Sequence, residues 1–526
     1  MSDNRVPRVG QVVSHADWGA GKVLALLRGG RVIRVEFDEM PDTPWEIPRE
    51  ELGVEALSPV PASPKKSPAP PPAPAPSPPK PTSAPEPPAS DPPAPDPPPE
   101  PFDSESAPEK PPENSVTARQ SLEALRLGVV PASHLNTYTV GRDMELVVIH
   151  EDLKSAAEGS GGMRVVLGDY GSGKTHFLEM AELLALESGF LATRATLDSR
   201  EVMPSRPRRI YHELARGIRY PDDPDVQRRG LKPLLQKAAT HADLIRSLSR
   251  PRDARYHPYL GPALFYWSVL PALKDAEDLQ ERLLDWIEGS EVASNVELEK
   301  KLRHMTSAKT RLYALRDFRT VTHLYTLLLG GIADMARRVG YRGLAVMVDE
   351  AEFYSVLGGR DRTFADVLFR TFAAACLNRE ALGFDPETLP RGGQAVHRGF
   401  SWRYRDDQPL YAVFALTHDP TGKSALARAV PENRFMTLPS FSTKDYVTLS
   451  ERVLSLYDMA RTPLSMGKKL APLMARVIEP CHQTGLIENP RQALKFITEV
   501  VDITRHRPER LKPMLEELLK GLQNGP

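Results

Sequence analysis

One octapeptide limits the fold of this chain more than any other feature. Gly168-Asp169-Tyr170-Gly171-Ser172-Gly173-Lys174-Thr175 fits GxxxxGK[ST] at every fixed position. It follows the apolar run Arg164-Val165-Val166-Leu167 and leads into a helical pattern from Thr175 to Glu187. A strand, a glycine-rich turn and a helix in that order make a P-loop. Gly168, Gly171 and Gly173 let backbone N–H groups, that of Ser172 among them, turn inward around phosphate oxygens. The helix N-terminus adds partial positive charge. Lys174 is placed to reach the β- and γ-phosphates, and the Thr175 hydroxyl to ligate Mg2+.

A nucleoside triphosphatase also needs a carboxylate for Mg2+ and one for water. Leu344-Ala345-Val346-Met347-Val348-Asp349-Glu350 supplies both at the end of an apolar strand. Asp349 is expected to hold the Mg2+ shell and Glu350 to polarise the attacking water. Glu352 is read as a surface charge. A third apolar strand, Leu410 to Leu416, ends in Thr417-His418. Alternating strands and helices imply a parallel sheet covered on both faces. Helices are expected over 120–127, most of 205–337 and most of 442–525.

The rest of the chain divides by composition. Proline numbers 52 of 526 residues, and 25 of these lie between Pro59 and Pro112. That stretch cannot bury apolar area and reads as an extended linker over 58–115. Ahead of it, residues 1–57 carry four or five short strand candidates, including the alternating Arg31 to Phe37, which suggests a small β-barrel. Val9-Gly10, Trp18-Gly19-Ala20-Gly21-Lys22-Val23 and Val35-Glu36-Phe37 resemble the Tudor-like modules at the ends of some bacterial repair helicases. Such modules mostly bind protein partners. The domains expected are then 1–57, the linker, an ATPase core over 116–440 with a helical insertion at about 205–337, and a helical lid over 441–526.

Net charge is −1, so bulk attraction to nucleic acid is not expected and any DNA contact needs a local patch. The two cysteines, Cys376 and Cys481, suit a reducing cytosol and exclude a disulfide scaffold. No membrane span or signal peptide is read from the sequence, which gives a cytoplasmic expectation.

Further motifs resemble those of AAA+ ATPases. Tyr138-Thr139-Val140-Gly141-Arg142-Asp143-Met144-Glu145-Leu146 is similar to the box whose backbone lies against adenine, near Val140 here. The strand ending in Thr417 resembles sensor 1, with Thr417 or His418 near the γ-phosphate. Glu432-Asn433-Arg434-Phe435 stands where such chains place an arginine finger. On that reading Arg434 serves a neighbouring copy; otherwise it is a surface arginine. Asn489-Pro490-Arg491 opens a lid helix, and Arg491 resembles the sensor-2 arginine. Together with Ala118 to Pro131 and Val348-Asp349-Glu350-Ala351-Glu352, these motifs resemble the ATP-binding proteins of bacterial BREX phage-resistance systems, of the BrxD type. The 175 positions between Lys174 and Asp349 match that family's long insertion.

The resemblance implies an α/β AAA+-type core, ATP and Mg2+ as ligands, and ATPase work beside other proteins of a defence or DNA-processing system. A switch or loader with little turnover, and a scaffold with structural nucleotide, are the alternatives. The 35 residues after Arg491 are too few for a winged helix. The candidate DNA contact is therefore Arg391 to Arg405, through Arg398, Trp402, Arg403 and Arg405, since arginine pairs with phosphate and aromatics stack on bases. Its alternative is a folded hairpin with cross-strand arginine–aromatic pairs.

Overall fold

The computed structural model describes residues 7–15, 19–27, 32–37, 45–48, 52–54, 113–131, 133–223, 226–274, 276–290, 295–306, 310–313, 315, 322–389, 404–461 and 467–524. It divides into two units, residues 1–110 and 111–526.

The first unit is an antiparallel sheet of five strands. They are β1 (Val12–His15), β2 (Gly19–Leu27), β3 (Val32–Phe37), β4 (Trp45–Pro48) and β5 (Leu52–Val54), in the order β4-β3-β2-β1-β5. Val13, Val23, Ile33 and Val35 are fully buried, while Val12, Leu24 and Leu26 are exposed. This is the alternation of a half-buried sheet. The expected barrel is not established: among the described residues no pairing closes β4 onto β5. Most of the proline-rich linker lies outside the described residues.

The second unit is built on five parallel strands: β6 (Gly162–Leu167), β7 (Leu191–Thr196), β8 (Leu344–Asp349), β9 (Leu410–Leu416) and β10 (Phe435–Thr437). Their order is β10-β6-β9-β8-β7, with parallel pairing throughout. Every residue of β6, β8 and β9 is buried, as helices on both faces require. The order places β9 between the P-loop strand β6 and the carboxylate strand β8, so all three end at one edge. Sequence patterning marked β6, β8 and β9. It missed β7, whose Arg194 and threonines break the apolar run, and β10, which is three residues long.

The helices before and after the P-loop are α1 (Glu113–Arg126), α2 (Asp143–Ser155) and α3 (Lys174–Glu187). Ile149 and Leu153 of α2 and Phe177, Leu178 and Ala181 of α3 pack on Val166, Met347 and Val413. Between β7 and β8 lies the insertion: α4 (Pro207–Gly217), α5 (Lys232–Ala238), α6 (Ala242–Ser249), α7 (Leu260–Val269), α8 (Glu277–Ile287), α9 (Asn295–Thr306) and α10 (Thr322–Arg338). Its core is aromatic. Trp286 stacks on Tyr259 at 6.0 Å and donates to the Tyr313 carbonyl at 2.9 Å. The insertion joins the core on the other sheet face, continuous with Val165, Val346 and Phe414.

Two helices follow β8 and β9 respectively, α11 (Gly359–Cys376) and α12 (Pro420–Ala427). The lid is α13 (Thr443–Ala460), α14 (Gly467–Gln483), α15 (Pro490–His506) and α16 (Pro508–Asn524). Helix α1 belongs to this lid core: Ala118, Leu122 and Leu125 are buried with Leu449, Val453 and Val501. Arg119 Nε donates to the Ala460 carbonyl at 2.7 Å, and Arg126 pairs with Asp502 at 2.9 Å. The first helix thus starts at Glu113, earlier than sequence patterning placed it, and clamps the lid. Among the described residues no helix is long and apolar enough to cross a membrane.

A candidate nucleoside triphosphate site at the sheet edge

The P-loop turns at the carboxyl end of β6. Gly171 and Gly173 adopt φ of 79° and 93°, where a side chain is strained. A Cβ on Gly168 would stand 2.6 Å from Ser172 Oγ, and one on Gly171 2.8 Å from Asn489 Oδ1. The loop is therefore a cradle that glycine alone leaves open. Ser172 Oγ is buried in it without a hydrogen-bond partner among the described residues. Lys174 is 7% exposed, and its Nζ donates to the Gly168 and Asp169 carbonyls at 3.2 and 3.3 Å. The ammonium is thus folded back over the loop, held by its own backbone.

Thr175 Oγ1 donates to Asp349 Oδ2 at 2.7 Å, and Asp349 Oδ1 accepts from the Glu350 amide at 2.9 Å. A hydroxyl and a buried carboxylate form an oxygen donor set suited to a hard divalent cation. Burial pushes the Asp349 carboxyl up from its ordinary value, partly offset by the Thr175 hydrogen bond. Glu350 sits in the left-handed region at φ 59°, a strained conformation for glutamate. Its carboxyl is pushed up to about 7, first by burial and then by the like charges of Glu352 and Asp349.

Glu352 is no ordinary surface charge. It lines the cleft beside Glu350, its charge raises the Glu350 pKa, and its Oε2 is buried without a hydrogen-bond partner among the described residues. The sequence signal for it was only its spacing of two from Glu350.

The cleft runs from these carboxylates past the P-loop to an apolar end lined by Val129, Val130, Val140, Leu449 and Leu494, and it is open to solvent. Val140, read from the sequence as lying near adenine, lines this end. Next to it, Arg142 is 3% exposed and donates to the Ser172 and Pro439 carbonyls, both at 3.0 Å, with its guanidinium 4.7 Å from the centre of the Phe441 ring. It bolts the box to the P-loop and to the lid junction. Burial lowers its pKa. Sequence reading gave Arg142 no role, because its partners are carbonyls that are distant along the chain.

The lid closes the opposite wall. Asn489 caps α15 by accepting from Gln492 N at 3.0 Å. Arg491, in the first turn, donates to the Tyr170 hydroxyl at 2.7 Å and lies 5.2 Å over its ring. Arg491 lines the cleft, held by a P-loop residue the motif leaves unspecified.

Other candidates fall elsewhere. Thr417 is half-buried at the end of β9, one residue beyond Leu416, whose carbonyl accepts from Gly168 N at 3.2 Å. It is beside the P-loop but does not line the cleft. His418 is exposed. Arg434 is not a free finger in this chain. It pairs with Asp152 at 3.2 Å, and Asp152 is also held by Arg164 at 2.8 Å and by the Tyr411 hydroxyl at 3.0 Å. Of the candidate DNA contacts, Arg398, Trp402 and Arg403 lie outside the described residues. Arg405 Nε donates to Asp407 Oδ1 at 2.8 Å, and Asp407 also meets Arg255 and Arg337.

No curated protein matches the chain. Residues 114–257, which include α1, Val140, Arg142 and the P-loop, match the model of a family described as BREX system ATP-binding protein BrxC/D, and on that match the chain is similar to the ATP-binding proteins of BREX phage-defence systems.

Proposed function

We propose that this chain is a Mg2+-dependent ATPase of AAA+ type working in a DNA-directed phage-defence complex. The observation that carries the reading is the meeting of Thr175, Asp349 and Glu350 at one edge of a β10-β6-β9-β8-β7 sheet, under a cradle left open by glycine. ATP phosphates lie in the loop against its amides and Lys174. Mg2+ would be held through Thr175 and Asp349, and when bound it offsets phosphate charge. Glu350 takes the proton of the attacking water, and a pKa near neutrality suits a general base. Val140 borders the base. Arg491 approaches the phosphates from the lid. The ion pair with Asp152 supports a structural role for Arg434 within one copy. The complex includes other proteins of the defence system, and the N-terminal sheet is its docking module.

The Glu350→Gln variant tests this. It should bind ATP normally and hydrolyse it on the order of 10²-fold more slowly, the usual size of a general-base contribution. Hydrolysis within about twofold of the unsubstituted chain removes Glu350 from the role of base. Binding with no turnover in the unsubstituted chain, with or without DNA, favours a nucleotide-gated switch.

A further inference from the structure

We propose that Tyr170 is a positioning residue for Arg491: it holds the guanidinium over the phosphate loop before nucleotide arrives, and so raises affinity for the triphosphate. The inference rests on the cleft being a nucleoside triphosphate site whose lid arginine meets phosphate. It gives a task to a P-loop side chain that the motif leaves open.

Among the described residues, the lysine and arginine side chains that line the cleft are Arg142, Lys174 and Arg491. Arg142 is engaged by the Ser172 and Pro439 carbonyls, and Lys174 by those of Gly168 and Asp169. Arg491 is the one that the lid contributes, and among the described residues no carboxylate pairs with it. Its Nη1 donates to the Tyr170 hydroxyl at 2.7 Å, and its guanidinium lies 5.2 Å from the centre of that ring. The phenol takes one of the five N–H groups of a guanidinium, which leaves most of the fork for phosphate oxygens. The neighbouring contact is also tight. Asn489, which caps the same helix, stands against Gly171, where a Cβ would lie 2.8 Å from its Oδ1. Two consecutive loop residues thus meet the start of α15. The stem of Arg491 crosses Gly128, just beyond α1, where a Cβ would lie 3.7 Å from its Cγ.

Fixing a long, freely rotating side chain on a ligand opposes binding, and a side chain held in its bound place beforehand avoids that loss. Tyr170 does the holding from within the loop itself. A neutral hydroxyl orients the guanidinium without cancelling its charge, whereas a carboxylate in the same place would cancel it. Tyr170 is 73% exposed, so it is no core residue, and its contact with Arg491 is of the modest size that such pairs have in water.

The test is a double-mutant cycle on the full chain, read by calorimetry with Mg2+ and adenylyl imidodiphosphate, an ATP analogue with an uncleavable β–γ bridge. Arg491→Ala should weaken binding about tenfold, the size of one charge-assisted hydrogen bond. Tyr170→Ala should weaken it about three- to tenfold, and Tyr170→Phe, which keeps the ring, by less. In an Arg491→Ala chain, Tyr170→Ala should add less than about twofold, because there is nothing left to position. Melting curves should show both Tyr170 variants folded, since the side chain is exposed. Equal weakening by Tyr170→Ala in the two backgrounds overturns the proposal, for Tyr170 then shapes the loop itself. So does unchanged or tighter binding by a folded Tyr170→Ala chain, or unchanged binding by Arg491→Ala. In each of these cases the analogue still binds and the triphosphate site stands; if the unsubstituted chain binds none, both readings fall.

Discussion

Thr175 and Asp349 lie 174 positions apart, and the Thr175 hydroxyl donates to the Asp349 carboxylate at 2.7 Å. Between them lie most of α3, the strand β7, the helical insertion and most of β8, and the contact spans them all. The parallel order explains this. Strand β8 is separated from β6 only by β9, so their carboxyl ends stay adjacent however long the intervening chain.

The carboxylates beyond Asp349 make stability depend on pH. Glu350 has a folded pKa of about 7, above the ordinary value for glutamate of about 4.3. The folded chain therefore holds this proton more tightly than the unfolded chain. Stability from this group is fully present below about pH 4.3 and is lost as pH rises to about 7. In Mg2+-free, nucleotide-free buffer, the melting temperature relative to Glu350→Gln should fall across that window and level off above it. Parallel curves for the two proteins would show that Glu350 is not buried among like charges.

Arg142 should matter to stability as much as to binding. Arg142→Ala removes a buried guanidinium that donates to the Ser172 and Pro439 carbonyls, and should cost about 1–3 kcal/mol by chemical denaturation. Arg142→Lys should recover little, since an ammonium cannot reproduce the guanidinium fork. A loss under about 0.5 kcal/mol would mean that the bolt is idle.

Removing residues 1–110 should leave ATP affinity and the melting temperature of the remaining unit unchanged, because the two units have separate cores. Differential scanning calorimetry decides it. A large drop in melting temperature would mean that the units stabilise one another.

The arginine–aromatic segment makes a separable prediction. If it grips DNA, Arg398→Ala with Arg403→Ala should weaken binding to all sequences and lower the log–log salt slope by about 0.9 per lost phosphate contact. Arg405→Ala should leave the slope unchanged, since Asp407 already compensates that charge. An unaltered slope in a stable double variant excludes the segment as a DNA contact.

What was legible in the sequence was local. The P-loop, Asp349-Glu350 and the strands β6, β8 and β9 announce themselves because glycine spacing and continuous burial leave marks within ten residues. What was not legible depends on long-range packing. The roles of Arg142, Tyr170 and Glu352 arise from neighbours brought in by the lid and the strand order. Helix α1 illustrates the point: its apolar spacing declares a helix but says nothing of its partner, which proves to be the lid at the other end of the chain.

The most direct measurement is calorimetric titration of Mg-ATP into the full chain and its Lys174→Ala variant. Lys174 is the compact cation within the P-loop, held over it by the Gly168 and Asp169 carbonyls. Saturable binding by the unsubstituted chain and affinity weakened at least about tenfold in a folded variant is the expected result, a charge-assisted contact being worth about 1.5–3 kcal/mol. Equal affinity in the two proteins would contradict the assignment of this cleft as the triphosphate site.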